Sequence, residues 1–188
     1  LGNVDNAFQS VRLKDAVDLS LHVLSVSKPD VYRSVLEFNS VFGMARHGED
    51  CPKEGELFPG FSMFDTEGRL WTLGDLLRGN WLIVYFFRGS WNPSCQMQLV
   101  GFRHLYPLFN RLGAEFVAIS PELPEKTRPF KATMRLPFPI LTDYVNELAL
   151  QLRLAVPLYS AFLDAYERYG LDVYQYTNAD DLQFPVPA

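Results

Sequence analysis

The sequence predicts an α/β fold in which helices cover a largely parallel central sheet. Three observations carry that reading. Trp81 to Phe87 is apolar at every position and Glu115 to Ser120 is nearly so, as in strands buried on both faces. Between them Leu99, Phe102, Tyr106 and Phe109 recur on one helical face. Strand, long helix and strand in that order imply parallel neighbours joined by a crossover.

Residues 1–48 read as an N-terminal helical extension. Ala16, Leu19, Val23 and Val26 keep a helical period, and Val31, Val35, Phe38 and Phe42 repeat it behind Pro29, with Asp30 as N-cap. Gly43 and the polar run from His47 to Asp50 close this region. From 49 to 188 the texture is that of one domain, opening on a hairpin: Phe61 to Phe64, a turn over Asp65 to Gly68, then Arg69 to Thr72. Leu73 to Leu77 is one helical turn closed by Gly79. Trp81 to Phe87 reads as a central strand and Arg88 to Asn92 as a loop. Pro93 opens the long helix, with a kink at Pro107. Pro124 to Met134 is a further helix, and Phe138 to Leu141 a short edge strand. Thr142 and Asp143 cap a helix carrying Val145, Leu148, Ala149 and Leu152. Leu158 to Tyr169 is the last helix, and its Tyr159, Phe162, Tyr166 and Tyr169 read as core or as a dimer surface.

Composition narrows the partners. The chain has 17 basic and 22 acidic residues, a net charge of −5 and no dense Lys/Arg run, so neither nucleic acid nor an anionic membrane is expected to bind it. Its longest apolar run is too short to span a bilayer. Cys51 and Cys95 lie 44 positions apart, and His22, His47 and His104 are scattered; no metal site or cofactor follows. Two cysteines make no disulfide scaffold, which fits a reducing, cytoplasmic compartment. The first residue is Leu1, which fits a processed chain or a fragment and is compatible with a removed export signal.

The informative stretch is Phe86-Phe87-Arg88-Gly89-Ser90-Trp91-Asn92-Pro93-Ser94-Cys95. It resembles the active-site segment of the alkyl hydroperoxide reductase/thiol-specific antioxidant family, the peroxiredoxins. It is most similar to their peroxiredoxin-like branch, whose strand ends in Arg-Gly-x-Trp-Cys-Pro-x-Cys. Glu56 to Leu77 resembles the family's opening hairpin, Ala114 to Pro121 its "GA-x-x-VAISP" strand, and Phe138 to Ala149 its "FP-x-L-x-D…LA" segment. Asn178 to Ala188 resembles the stretch before its last strands. The resemblance implies a thioredoxin-like fold with a central mixed sheet, and a proline at the position of Pro187 in the cis form. It also implies that C-terminal strands are missing after Ala188. Further residues, or a second copy in a homo-oligomer, would then cover the open sheet edge.

The same resemblance implies thiol-dependent peroxide reduction at Cys95, with a peroxide as substrate and an external thiol as reductant. Three positions carry it: Cys95 as nucleophile, Asn92 where peroxiredoxins have Thr or Ser, and Arg88 where they have Pro. The two-cysteine branch has Cys at the position of Asn92, so a dithiol in this loop is excluded and a one-cysteine arrangement remains. Only a thiolate attacks peroxide. A place in the first turn of a helix would surround Cys95 with unpaired N–H groups and the positive dipole end. Arg88 would add charge, and Asn92 would cap the helix or bond the thiol. The loop offers no general base, so activation would be electrostatic.

Other readings stand beside these. Cys95 is equally a small buried hydrophobe in a redox-inactive binding protein of the same fold, or the single thiol of a thiol transferase. A depressed Cys95 pKa favours an enzyme; an ordinary pKa with low exposure favours the binding protein. Cys51 is either a resolving thiol or an incidental one, and Trp91 either a shield over the thiol or a packing residue. Asp180 and Asp181 read as a solvated turn.

Overall fold

A computed structural model describes residues 50–78, 81–158, 163–164, 166–167, 170–177 and 183–187, with scattered positions between 18 and 36 that are helical. Asp30, Gly43, His47, Gly79, Tyr159, Phe162, Tyr169, Asp180 and Asp181 lie outside the described residues. The hairpin forms as expected: β1 (Ser62–Phe64) pairs antiparallel with β2 (Leu70–Thr72). Asp65 closes its turn, accepting hydrogen bonds from the N–H groups of Glu67 and Arg69 at 2.9 Å and from Trp71 Nε1 at 2.8 Å. A short helix, α1 (Leu73–Leu76), follows directly, capped reciprocally by Thr72 and Asp75.

The centre is a parallel sheet in the order β3 (Trp81–Phe86), β4 (Ala114–Ser120), β5 (Ile140–Thr142). An antiparallel bridge from Asp65 to Leu141 joins the hairpin to it and gives the assembly its mixed character. Among the described strands the middle one is β4, buried along almost its whole length, and not β3. Among the described strands β3 pairs on one side only, and Trp81 at its start is 69% exposed. An unbroken apolar run therefore did not distinguish the inner strand from its neighbour.

Strand alternation sorts side chains into two layers. Tyr85, Phe87, Phe116, Ala118 and Ile140 face α2 (Pro93–Arg111), whose Leu99, Phe102, Tyr106 and Phe109 pack there as the periodicity predicted. That helix runs on through Pro107. From α3 (Pro124–Met134), Phe130 and Met134 complete the layer. Phe86, Val117, Ile119 and Leu141 face the other way, onto α1, α4 (Glu147–Gln151) and Leu154. Asp143 takes the Ala149 N–H at 3.1 Å, but α4 starts only at Glu147 behind Asn146, so Val145, expected within the helix, precedes it and is exposed.

Two strands were not read from the sequence. β6 (Ala155–Pro157) and β7 (Gln183–Pro185) form an antiparallel ribbon, with a 3-10 turn at Val173–Tyr176 in the connection between them. Phe184, Val173 and Leu158 make a third cluster with Trp91. Among the described residues no peptide bond is cis, so Pro187 is trans. The trans form is the ordinary preference of an X-Pro bond by about 0.5–1 kcal/mol.

Candidate active site around Cys95

The site lies where β3 and β4 end, the usual place for chemistry in an open α/β sheet. Asn92 leaves the loop in extended conformation and caps α2, its Oδ1 accepting the Cys95 N–H at 3.1 Å. Pro93 fills the first helical position, where a missing N–H costs nothing. Cys95 then points inward from the first turn and is 1% exposed.

The donors around the sulfur differ from those expected. Pro93 has no N–H, the Cys95 N–H is taken by Asn92 Oδ1, and the Gln96 N–H goes to the Asn92 carbonyl at 3.0 Å. The helix's own first turn thus offers the thiol little. The N–H groups directed at the sulfur come instead from Arg88 and Gly89, at the end of β3. The Arg88 guanidinium stands close to the thiol and to the hydroxyls of Tyr85 and Tyr166. Cys95, Asn92 and Arg88 are therefore gathered in one place.

Burial nevertheless pushes the Cys95 thiol above its ordinary pKa. The Arg88 and Gly89 N–H groups and the Arg88 charge act against burial, while the nearby Glu122 carboxylate adds to it. This corrects the expectation of a depressed pKa: desolvation outweighs the helix start and the cation together. By the criterion of thiol pKa and exposure alone, the site falls on the side of a binding protein.

Sequence reasoning missed the residue that organises the loop. Glu122, just after β4, is 1% exposed. Its carboxylate accepts the Ser90 N–H at 2.8 Å, the Ser90 hydroxyl at 2.7 Å and the Thr127 hydroxyl at 2.7 Å. Burial raises its pKa, with the hydrogen bonds from Ser90 and Thr127 and the charge of Lys126 pulling the other way. A carboxylate between Pro121 and Pro124, directly behind a buried strand, was the available signal. Two more contacts tie α2 to the loop and to β3: Gln96 Nε2 donates to the Ser90 carbonyl at 2.6 Å, and the Tyr85 hydroxyl donates to Gln98. Tyr166, read as core or dimer surface, packs on the cluster around Trp91 and also interacts with the Asn92 side chain.

Trp91 is a packing residue. Its ring stands edge-on to Tyr166 and Phe184, with centroids at 5.3 and 5.5 Å, and its indole lies directly over Gly89. Cys51 is remote from all this. Its thiol faces the Arg153 carbonyl at 3.6 Å and packs into the opposite layer from Cys95. The sheet thus separates the two sulfurs, and Cys51 is not placed to resolve an oxidised Cys95.

Replacing Asn92 by alanine is expected to destabilise the domain by about 1–2 kcal/mol, because the cap and the Tyr166 contact are both lost. Urea unfolding measures it, as a lower midpoint at unchanged slope.

Comparison with known proteins places this site in a family. The model of the AhpC/TSA family matches residues 55–168. The chloroplastic peroxiredoxin Q of Populus jackii is 31% identical over 119 residues, covering 63% of this chain and 55% of that protein. The chloroplastic peroxiredoxin Q of Sedum lineare is 29% identical over 163 residues, covering 85% of this chain and 83% of that one. The chain thus spans about half the length of several curated relatives that it matches. Among solved structures, the peroxidoxin BcpB from Mycobacterium tuberculosis is 26% identical with a TM-score of 0.53, over 55% of this chain and 68% of that one. The architecture described above is accordingly the thioredoxin-like one of the peroxiredoxins. No described helix is long and apolar enough to cross a membrane. Matched by the family model over residues 55–168, and sharing its fold with a solved peroxidoxin, the chain belongs to the AhpC/TSA family.

Proposed function

We propose that this chain reduces peroxides through Cys95 by a one-cysteine mechanism, with an external thiol as reductant. The observation that carries the reading is the convergence of the Arg88 and Gly89 N–H groups and the Arg88 guanidinium on one buried sulfur. Such a set stabilises a thiolate and the negative charge that develops on peroxide oxygen as the O–O bond breaks. The thiolate attacks one peroxide oxygen; an S–O bond forms, and the other oxygen leaves with a proton as water or alcohol. The sulfenate left on Cys95 then takes a proton and is attacked by an external thiol, giving a mixed disulfide and water. A second external thiol cleaves that disulfide and restores Cys95.

Asn92 serves as cap and anchor for the helix that presents the sulfur, and Arg88 as its cation. The domain of residues 49–188 carries this chemistry, with 1–48 as a helical extension before it. A reducing compartment such as the cytoplasm suits a lone working thiol, and a second copy of the chain suits the one-sided pairing of β3. Because burial raises the Cys95 pKa, a second reading is retained: a redox-inactive protein of the same fold that binds a partner.

The experiment that separates them is sulfenate trapping. Reduced protein treated with one equivalent of hydrogen peroxide and then with a sulfenate trap should gain the adduct on the Cys95 peptide. No adduct, together with a thiol that titrates like a free one, would leave the binding reading. An adduct with exogenous disulfides but none with peroxide would point to a thiol transferase.

A further inference from the structure

The loop that presents its amides to Cys95 is held from the far side by a single carboxylate. Glu122 takes both the N–H and the hydroxyl of Ser90, and Thr127 of α3 fixes the same carboxylate. Ser90 follows Arg88 and Gly89 directly, so the position of their N–H groups relative to the sulfur depends on this anchor. Taking Cys95 as the reacting thiol, we propose that Glu122 is a positioning residue that holds the Arg88–Ser90 loop against the sulfur and, through its own charge, restrains thiolate formation.

The second half follows from the charges present. One guanidinium, Arg88, sits at the sulfur, and two acids, Cys95 and Glu122, are buried near it. The other titratable groups facing them are Tyr85 on β3, Tyr166 in the C-terminal segment and Lys126 on α3. The two tyrosines are held in their neutral form by burial, so they add no charge. With Glu122 ionised, a thiolate at Cys95 becomes a second buried anion beside one cation. Glu122 therefore builds the site's geometry and opposes its ionisation at the same time, so the thiol is reactive only above the pH set by their competition. A purely structural anchor would have no such opposing effect.

Glu122→Gln separates the two roles. The glutamine Oε1 can accept the Ser90 N–H and the Thr127 hydroxyl, and its Nε2 can donate to Ser90 Oγ, so all three contacts survive without the charge. The Cβ carbon NMR shift of Cys95, followed against pH in a Cys51→Ser background, reads thiol ionisation without needing reagent access. The titration midpoint of Cys95 should fall, giving roughly tenfold more thiolate at a given pH below the midpoint. Glu122→Ala, which removes the anchor as well, should lose that gain. A Glu122→Gln midpoint that stays put or rises overturns the proposal. If the glutamine variant fails to fold, Thr127→Val is the isosteric substitute outside the loop. With one donor fewer the ionised carboxylate is less well compensated, so the Cys95 midpoint should rise, and a fall or no change counts against the proposal. Peroxide is absent throughout, so failure here leaves the peroxidase reading standing, and failure to trap sulfenate leaves this one standing.

Discussion

Replacing Cys95 by serine is expected to abolish the trapped sulfenate and to reduce peroxide consumption at least about a thousandfold, to the uncatalysed background. Serine keeps the size of the side chain and the cap from Asn92, so the fold should survive and the loss should be chemical. Cys51→Ser is the contrasting variant. Its thiol packs into the layer built on Phe86, Val117 and Leu141, whereas Cys95 packs with Tyr85, Phe87 and Phe116. A strand's side chains reach one face each, so a bond between these sulfurs would require the domain to open. Peroxide consumption in the presence of an added thiol should therefore be nearly unchanged in Cys51→Ser. Oxidised protein should contain no Cys51–Cys95 disulfide by peptide mass. A disulfide that forms within the folded monomer would contradict the layer assignment and the one-cysteine mechanism together.

The largest loss of stability from a single added methyl is expected at Gly89. Its φ of +154° lies where side-chain-bearing residues rarely go. A Cβ there would stand 2.6 Å from Trp91 Cδ1 and closer still to Nε1. The indole has little room to retreat, since Tyr166 and Phe184 flank it edge-on. Backbone strain of about 1–3 kcal/mol and overpacking of similar size add, so Gly89→Ala should destabilise the domain by roughly 3–5 kcal/mol. Denaturant unfolding reads this directly, and a loss under about 1 kcal/mol would mean the loop rearranges freely. Because the Gly89 N–H faces the sulfur, the same variant should also slow Cys95 chemistry.

The parts of this molecule that obey a simple period were legible in the sequence. The buried face of α2 followed from helical spacing, the strands β3 and β4 from apolar runs, and the hairpin from the turn around Asp65. The ribbon of β6 and β7 was not legible: Ala155–Pro157 and Gln183–Pro185 are three residues each and both end in proline. Which strand is central was equally hidden, because apolar content reports burial and not hydrogen-bonded neighbours. At the site, Cys95, Asn92 and Arg88 were found through one contiguous loop. Glu122 and Tyr166 escaped because they reach it from 27 and 71 residues further along the chain. An acidic residue in a loop ordinarily reads as solvated, and a tyrosine at helical spacing ordinarily reads as packing. The thiol's pKa was misjudged for a related reason: sequence placed the favourable charges but carried no measure of desolvation.

The indole laid over Gly89 also gives the molecule an optical label. Of its three tryptophans, Trp81 is largely exposed and Trp71 is half-buried beneath the Arg69 guanidinium at 4.0 Å. Only Trp91 sits in an apolar aromatic box, with its Nε1 buried and unmatched by any acceptor among the described residues. Emission from such an indole falls at the blue edge of the spectrum, away from the red-shifted light of a solvated one. The glycine beneath it turns its N–H toward the Cys95 sulfur. The blue edge of the fluorescence thus belongs to the loop itself, and its colour reports whether the indole still lies over Gly89.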